Sequence, residues 1–62
     1  MSSIGKNIRN LRKQKKMSQE HLAGLLHVTR QAVSNWENGK SQPDIETLEA
    51  IAGAFDTDIL MV

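Results

Sequence analysis

Only His27 and Val28 stand between Leu26 and Thr29. Leu22, Ala23 and Leu26 recur at the spacing of one helical face. Thr29 belongs to the small set of residues whose side-chain oxygen caps a helix start. Two helices joined by so short a link must meet at a steep angle and pack directly on one another. Ala23 falls where they cross, and its small side chain permits close approach. Ser18 is the expected cap of the earlier helix, with Glu20 in its favourable first turn.

The rest of the chain is punctuated in the same way. Ile4, Ile8 and Leu11 follow Ser2-Ser3 at i, i+4, i+7, the mark of one buried stripe. The helix begun at Thr29 stops at Asn38-Gly39, where Gly suits the left-handed turn that ends a helix. Gln42-Pro43 forces an extended step. Asp44 then caps a fourth helix whose Ile45, Leu48, Ile51, Ala52 and Phe55 keep to one side. Asp56 or Asp58 suits the cap of a last short turn ending in Ile59-Leu60-Met61-Val62. The expectation is an all-α, compact bundle of four to five helices, one domain over residues 1–62.

Sixty-two residues leave no room for a large two-lobed cavity. The chain has no cysteine, hence neither a disulfide framework nor a thiolate zinc site. No apolar run approaches the ~20 residues of a membrane span, and the N-terminus lacks the apolar stretch of a signal peptide. A soluble, cytoplasmic protein is expected, with no metal, no cofactor and no small-molecule ligand. The chain ends on apolar residues without a polar tail, which fits a piece of a longer protein as well as a whole one.

Net charge is only +1, but it is unevenly spread. Residues 1–30 carry seven cations against Glu20 alone, a balance of +6, and residues 31–62 a balance of −5. One reading is an anion-facing side; the other is mutual neutralisation in the folded state. Lys6, Arg9, Lys13 and Lys16 cluster opposite the stripe of the first helix and read as a solvated, steering face. Arg12 lies at the border between the two.

The third helix is the most informative. On a helical wheel Ala32, Val33 and Trp36 gather on one arc, and Arg30, Gln31, Ser34 and Asn35 on the opposite one. That outer arc has no acid and no bulky apolar group. A guanidinium, two carboxamides and a hydroxyl are the groups that read base edges in a DNA major groove. The alternative is a merely solvated face, but such faces usually mix Glu with Lys. Glu37, in the last turn, faces the negative end of the helix dipole. Arg12 is its natural partner, in a bridge tying the first helix to the third; the alternative is a solvated carboxylate at a frayed end. Helix N-termini offer free N–H groups to anions, which makes Gln19 and Thr29 candidate phosphate anchors. Lys40 and Ser41, just past the third helix, are two more.

These residues carry a family resemblance. The opening Ser18-Gln-Glu-His-Leu-Ala23, the close Gln31-Ala-Val-Ser-Asn-Trp-Glu-Asn-Gly-Lys40 and the following Pro43-Asp-Ile-Glu-Thr-Leu48 resemble the Cro/phage-repressor helix-turn-helix family, of the xenobiotic-response-element type. The resemblance covers essentially the whole chain, with the helix-turn-helix proper at about residues 18–38. It implies a lambda-repressor-like bundle that binds operator double-stranded DNA through the third helix, usually as a dimer. The family's base-contacting slots fall on Arg30, Gln31, Ser34 and Asn35. Its phosphate-contacting slots fall on Gln19, Thr29, Asn38 and Lys40, and its internal bridge on Arg12 and Glu37. Two departures stand out. The turn position that is usually Gly is His27, in a slot that often needs positive φ, and it reads as a tolerated turn residue; a titrating switch is the alternative. The usual capping-box Glu is replaced by His21.

A sequence-specific transcriptional regulator is the resulting expectation: one recognition helix reads too few base pairs, so a homodimer on a two-fold operator is expected. Phe55, Ile59, Leu60, Met61 and Val62, with the small residues Ala50, Gly53 and Ala54, are candidates for the dimer contact, although Phe55 and Leu60 also suit the core. The rival reading is a protein-interaction module on the same fold, antitoxin-like or an anti-repressor partner. Catalysis is not expected: there is no paired carboxylate site, no phosphate loop, and His21 and His27 lie six residues apart.

Overall fold

Three side-chain caps set the helix starts. Ser18 Oγ accepts the His21 N–H at 3.0 Å, Thr29 Oγ1 the Ala32 N–H at 3.1 Å, and Asp44 Oδ1 the Thr47 N–H at 2.8 Å. In the computed structural model, which describes residues 4–56, these caps open α2 (Gln19–Leu26), α3 (Arg30–Glu37) and α4 (Ile45–Phe55). The first helix, α1, runs Ile4–Gln14. The described residues form helices and connecting turns without a strand, and none of these helices is long and apolar enough to cross a membrane.

The core draws on all four helices. Ile8 comes from α1, Leu22 and Ala23 from α2, Val33 and Trp36 from α3, and Leu48, Ile51 and Phe55 from α4. Ile8, Leu22, Val33 and Ile51 are fully buried, and each such side chain contributes about 1.5–3 kcal/mol relative to exposure. Helix α3 packs against both α2 and α1, while α4 packs against α2. The outer face of α3 is left open by this arrangement.

The α2–α3 link is as tight as its spacing requires. His27 adopts φ 58°, ψ 40°, the left-handed conformation expected of it. The Val28 N–H then reaches back to the Ala23 carbonyl at 3.0 Å, which closes the end of α2. Gly39, at φ +76°, ends the turn after α3, and the Lys40 N–H bonds the Asn35 carbonyl at 2.9 Å.

Three features differ from expectation or were not foreseen. Ile45 is 72 % exposed rather than in the core. It is the first residue of α4, and side chains lean toward a helix N-terminus, so it projects past the end of the packed face. Asp56 closes α4 in the left-handed conformation, φ 52° and ψ 48°; the short turn expected after it lies outside the described residues. Gly5 marks a close approach: a Cβ there would collide with the Trp36 carbonyl oxygen and lie 3.1 Å from its carbon. Phe55 is buried in the core; Asp58 and the apolar residues 59–62 lie outside the described residues, as do Ser2 and Ser3.

Candidate nucleic-acid interface

Glu37 organises the site from within. Its side chain is fully buried, although it sits in the last turn of a short helix. Arg12 meets it with two donors, Nε to Oε2 at 2.8 Å and Nη2 to Oε1 at 3.0 Å. The remaining Arg12 nitrogen donates to the Met17 carbonyl at 2.8 Å. The expected bridge is therefore present, and it also fixes the chain between α1 and α2. Gln19 Nε2 donates to Glu37 Oε1 at 3.1 Å, and Arg9 Nε to the same oxygen at 3.3 Å. Burial pushes the Glu37 carboxyl up, but the hydrogen bonds from Arg12, Gln19 and Arg9 and the Arg12 charge outweigh it and hold the group below its ordinary range. The same pairing raises the Arg12 guanidinium, chiefly through its hydrogen bond to Glu37.

Two of these partners were not foreseen. Arg9 was expected on the solvated face of α1. Its side chain is 42 % exposed, yet it bends around the helix to Glu37 and also donates from Nη2 to Asn38 Oδ1 at 3.3 Å. Gln19 was expected as a phosphate anchor through the helix N-terminus; its side-chain amide has a further partner, the buried Glu37. What Gln19 leaves open is its backbone N–H at the start of α2.

With its acid turned inward, α3 shows solvent no negative charge among Arg30, Gln31, Ser34 and Asn35. Arg30 and Gln31 are exposed, and Ser34 and Asn35 half-buried. Gln31 Nε2 donates to Asn35 Oδ1 at 3.0 Å, and Asn38 Nδ2 to Ser34 Oγ at 3.3 Å. Thr29 lies at the start of this face, its oxygen engaged as the cap. Lys40 and Ser41 are exposed at its end, both with backbone N–H groups on the Asn35 carbonyl. Arg30, Gln31, Ser34 and Asn35 thus lie along α3, with Thr29 at its start and Asn38, Lys40 and Ser41 at its end. Among the described residues no cluster of His, Asp and Glu is suited to a metal ion.

The sequence pattern of the helix-turn-helix family matches residues 8–61. This chain belongs to the helix-turn-helix family. The transcriptional activator BcrR of Enterococcus faecalis is 41 % identical to this helix-turn-helix chain over 56 residues, 90 % of the chain and 28 % of BcrR. Among solved structures, the P22 c2 repressor in complex with a synthetic operator superposes with a TM-score of 0.88 at 30 % identity, covering 95 % of this chain and 89 % of that one. The fold also occurs inside an enzyme: hydroxypropylphosphonic acid epoxidase from S. wedmorenis matches with a TM-score of 0.81 at 33 % identity, over 90 % of this chain but 30 % of the epoxidase. The chain spans from about a quarter to just over half the length of the curated relatives it matches. The resemblance to phage repressors drawn from Ser18–Ala23 and Gln31–Lys40 is borne out by these helix-turn-helix relatives.

Proposed function

We infer that this chain is the DNA-binding domain, residues 1–62, of a transcriptional regulator, with α3 lying in the major groove of operator double-stranded DNA. The observation that carries the reading is the outer face of α3. Arg30, Gln31, Ser34 and Asn35 offer only neutral or cationic hydrogen-bonding groups there, because Glu37 is drawn inside. Arg30 suits guanine O6/N7, the carboxamides of Gln31 and Asn35 suit adenine N6/N7, and Ser34 suits either. Phosphate contacts fall to the backbone N–H of Gln19, to Thr29 and Asn38, and to Lys40 and Ser41, which set the register without reading sequence. The likeness to a repressor solved with its operator supports this assignment.

One helix of eight residues reads too few base pairs to pick a site in a genome, so the reading includes a homodimer on a two-fold operator. The exposed small residues Ala50, Gly53 and Ala54 of α4 are the surface assigned to that contact. The domain acts in the cytoplasm as a binder, and no catalysis is assigned to it. The test is selection of bound duplexes from a random pool, followed by titration of the winner against salt. A selected palindrome and an affinity that falls steeply with salt, as counterions are released, are expected. Salt-insensitive binding, or no binding at low salt, contradicts the reading and favours a protein partner for α3.

A further inference from the structure

Three side-chain hydrogen bonds set a direction across the outer face of α3. Arg9 Nη2 donates to Asn38 Oδ1 at 3.3 Å, and Asn38 Nδ2 donates to Ser34 Oγ at 3.3 Å. Arg9 is itself held by Glu37, which accepts from its Nε at 3.3 Å. A guanidinium has donors and no acceptor. The Asn38 oxygen must therefore face Arg9, and its amide nitrogen must face Ser34. A flipped amide would set N–H against N–H. The Ser34 oxygen is thus an acceptor toward Asn38, and its single O–H is directed elsewhere. Accepting one bond also polarises a hydroxyl and strengthens the bond that it donates.

We propose that Arg9, acting through Asn38, fixes Ser34 as a hydrogen-bond donor toward DNA. The base it faces is then one that presents an acceptor: guanine, adenine or thymine. Cytosine, which presents the N4 amine as a donor, is disfavoured. One Ser34 lone pair remains, so cytosine is selected against rather than barred. A serine alone reads either kind of edge, and the relay removes that ambiguity. Arg9 and Asn38 are positioning residues in this scheme, since neither has to touch a base. The inference rests on the reading of α3 as the groove-facing helix.

The experiment is selection from a random duplex pool by the full chain and four variants, each checked for folding by thermal melting. Ser34→Ala locates the base pair, as the one position whose preference collapses. At that position the unaltered chain depletes cytosine about fivefold, the discrimination of roughly one hydrogen bond. Asn38→Asp replaces the amide with a group that only accepts. The Ser34 O–H then turns to the carboxylate, lone pairs face the groove, and cytosine becomes the favoured base there, with other positions unchanged. Arg9→Met releases the amide and flattens the preference at that position, and Arg9→Lys restores it. A merely structural role for Arg9 would lower affinity equally at every position. The relay is overturned by unchanged preferences in both Asn38→Asp and Arg9→Met, by a loss in Arg9→Met spread evenly over all positions, or by a Ser34→Ala profile identical to that of the unaltered chain; an even loss of affinity in Asn38→Asp reports only its phosphate contact. Should Asn38→Asp fail to fold, the two Arg9 variants decide the matter. If the unaltered chain selects no sequence at all, the DNA reading fails and the relay with it. A selected sequence indifferent to the variants sinks the relay alone.

Discussion

Arg12 grips the buried Glu37 carboxylate at both oxygens, 2.8 Å to one and 3.0 Å to the other, across 25 residues of chain. Only 13 % of its side chain is exposed. Breaking such a pair strands a buried charge, which costs about 3–5 kcal/mol. Arg9 and Gln19 remain as partners for Glu37, so the lower end of that range applies. Arg12→Ala is expected to lower the urea midpoint sharply and to weaken DNA binding with it. Lost binding at an unchanged midpoint would show that the fork does not hold the fold together.

The same carboxylate sets an acid limit. Glu37 titrates below its ordinary value of 4.5 in the folded chain. A group depressed by folding stabilises fully above its unfolded pKa and loses that contribution as pH falls through the folded one. Stability is therefore expected to decline below about pH 4.5 and to keep declining at lower pH as Glu37 protonates. Asp44, held low by the Thr47 hydroxyl and N–H, acts with the same sign. Urea unfolding at stepped pH checks this: Glu37→Gln should be less stable at neutral pH but flatter across the acid range. An acid slope unaltered by Glu37→Gln would mean that other groups carry it.

The parts of this structure that could be read from sequence are those whose causes are local. Ser18, Thr29 and Asp44 cap groups only three residues away, so their identity alone fixes three helix starts. Glu37 announced a partner because a carboxylate at a helix C-terminus is unfavourable by itself. The Arg9 contact was missed because a helical wheel records where a Cβ points, whereas long side chains reach around the helix. Gln19 meets Glu37 across 18 residues, a contact set by the crossing of α2 and α3. Ile45 kept the period of the core, but a first-turn residue leans off the packed face. Gly5 carried no signal, since only the approach of α1 to Trp36 requires it.

Gly5 is the sharper test of that approach. Its missing Cβ makes room for the Trp36 carbonyl, with the Glu37 Cα 3.3 Å away as well. The obstacle is backbone, which yields less readily than a side-chain tip. Gly5→Ala is expected to cost about 1–3 kcal/mol through overpacking. Gly24 faces open space in the interior of α2, so Gly24→Ala should stabilise by about 0.5–1 kcal/mol through helix propensity. Denaturant midpoints measured side by side check both signs. Equal effects would show that α1 is free to shift away.

His27 occupies the left-handed region at φ 58°, where a side chain strains the backbone and glycine does not. Its side chain is exposed, so little packing is lost on removing it. His27→Gly is expected to stabilise by up to about 1 kcal/mol, and His27→Val to destabilise, because a β-branched residue tolerates that conformation least. The readout is the thermal midpoint at fixed pH. Clear destabilisation by glycine would contradict the strain argument.

Asn35 and Lys40 divide the work assigned to the interface. Asn35 sits mid-face on α3, half-buried, with its side-chain Oδ1 accepting from Gln31 Nε2. Lys40 lies past the helix end, exposed, and carries a charge that suits a phosphate. Asn35→Ala should cost about 1–3 kcal/mol on the selected operator, relax the preference at one base pair, and leave the salt slope unchanged. Lys40→Ala should weaken binding to all duplexes about equally and reduce the salt slope by about one, because one fewer phosphate is neutralised. Neither residue contributes to the core, so both variants should melt near the unaltered chain. Competition binding on matched and mismatched duplexes at several salt concentrations separates the two effects. If both variants lose affinity uniformly and with the same change in salt slope, α3 is gripping backbone rather than reading bases.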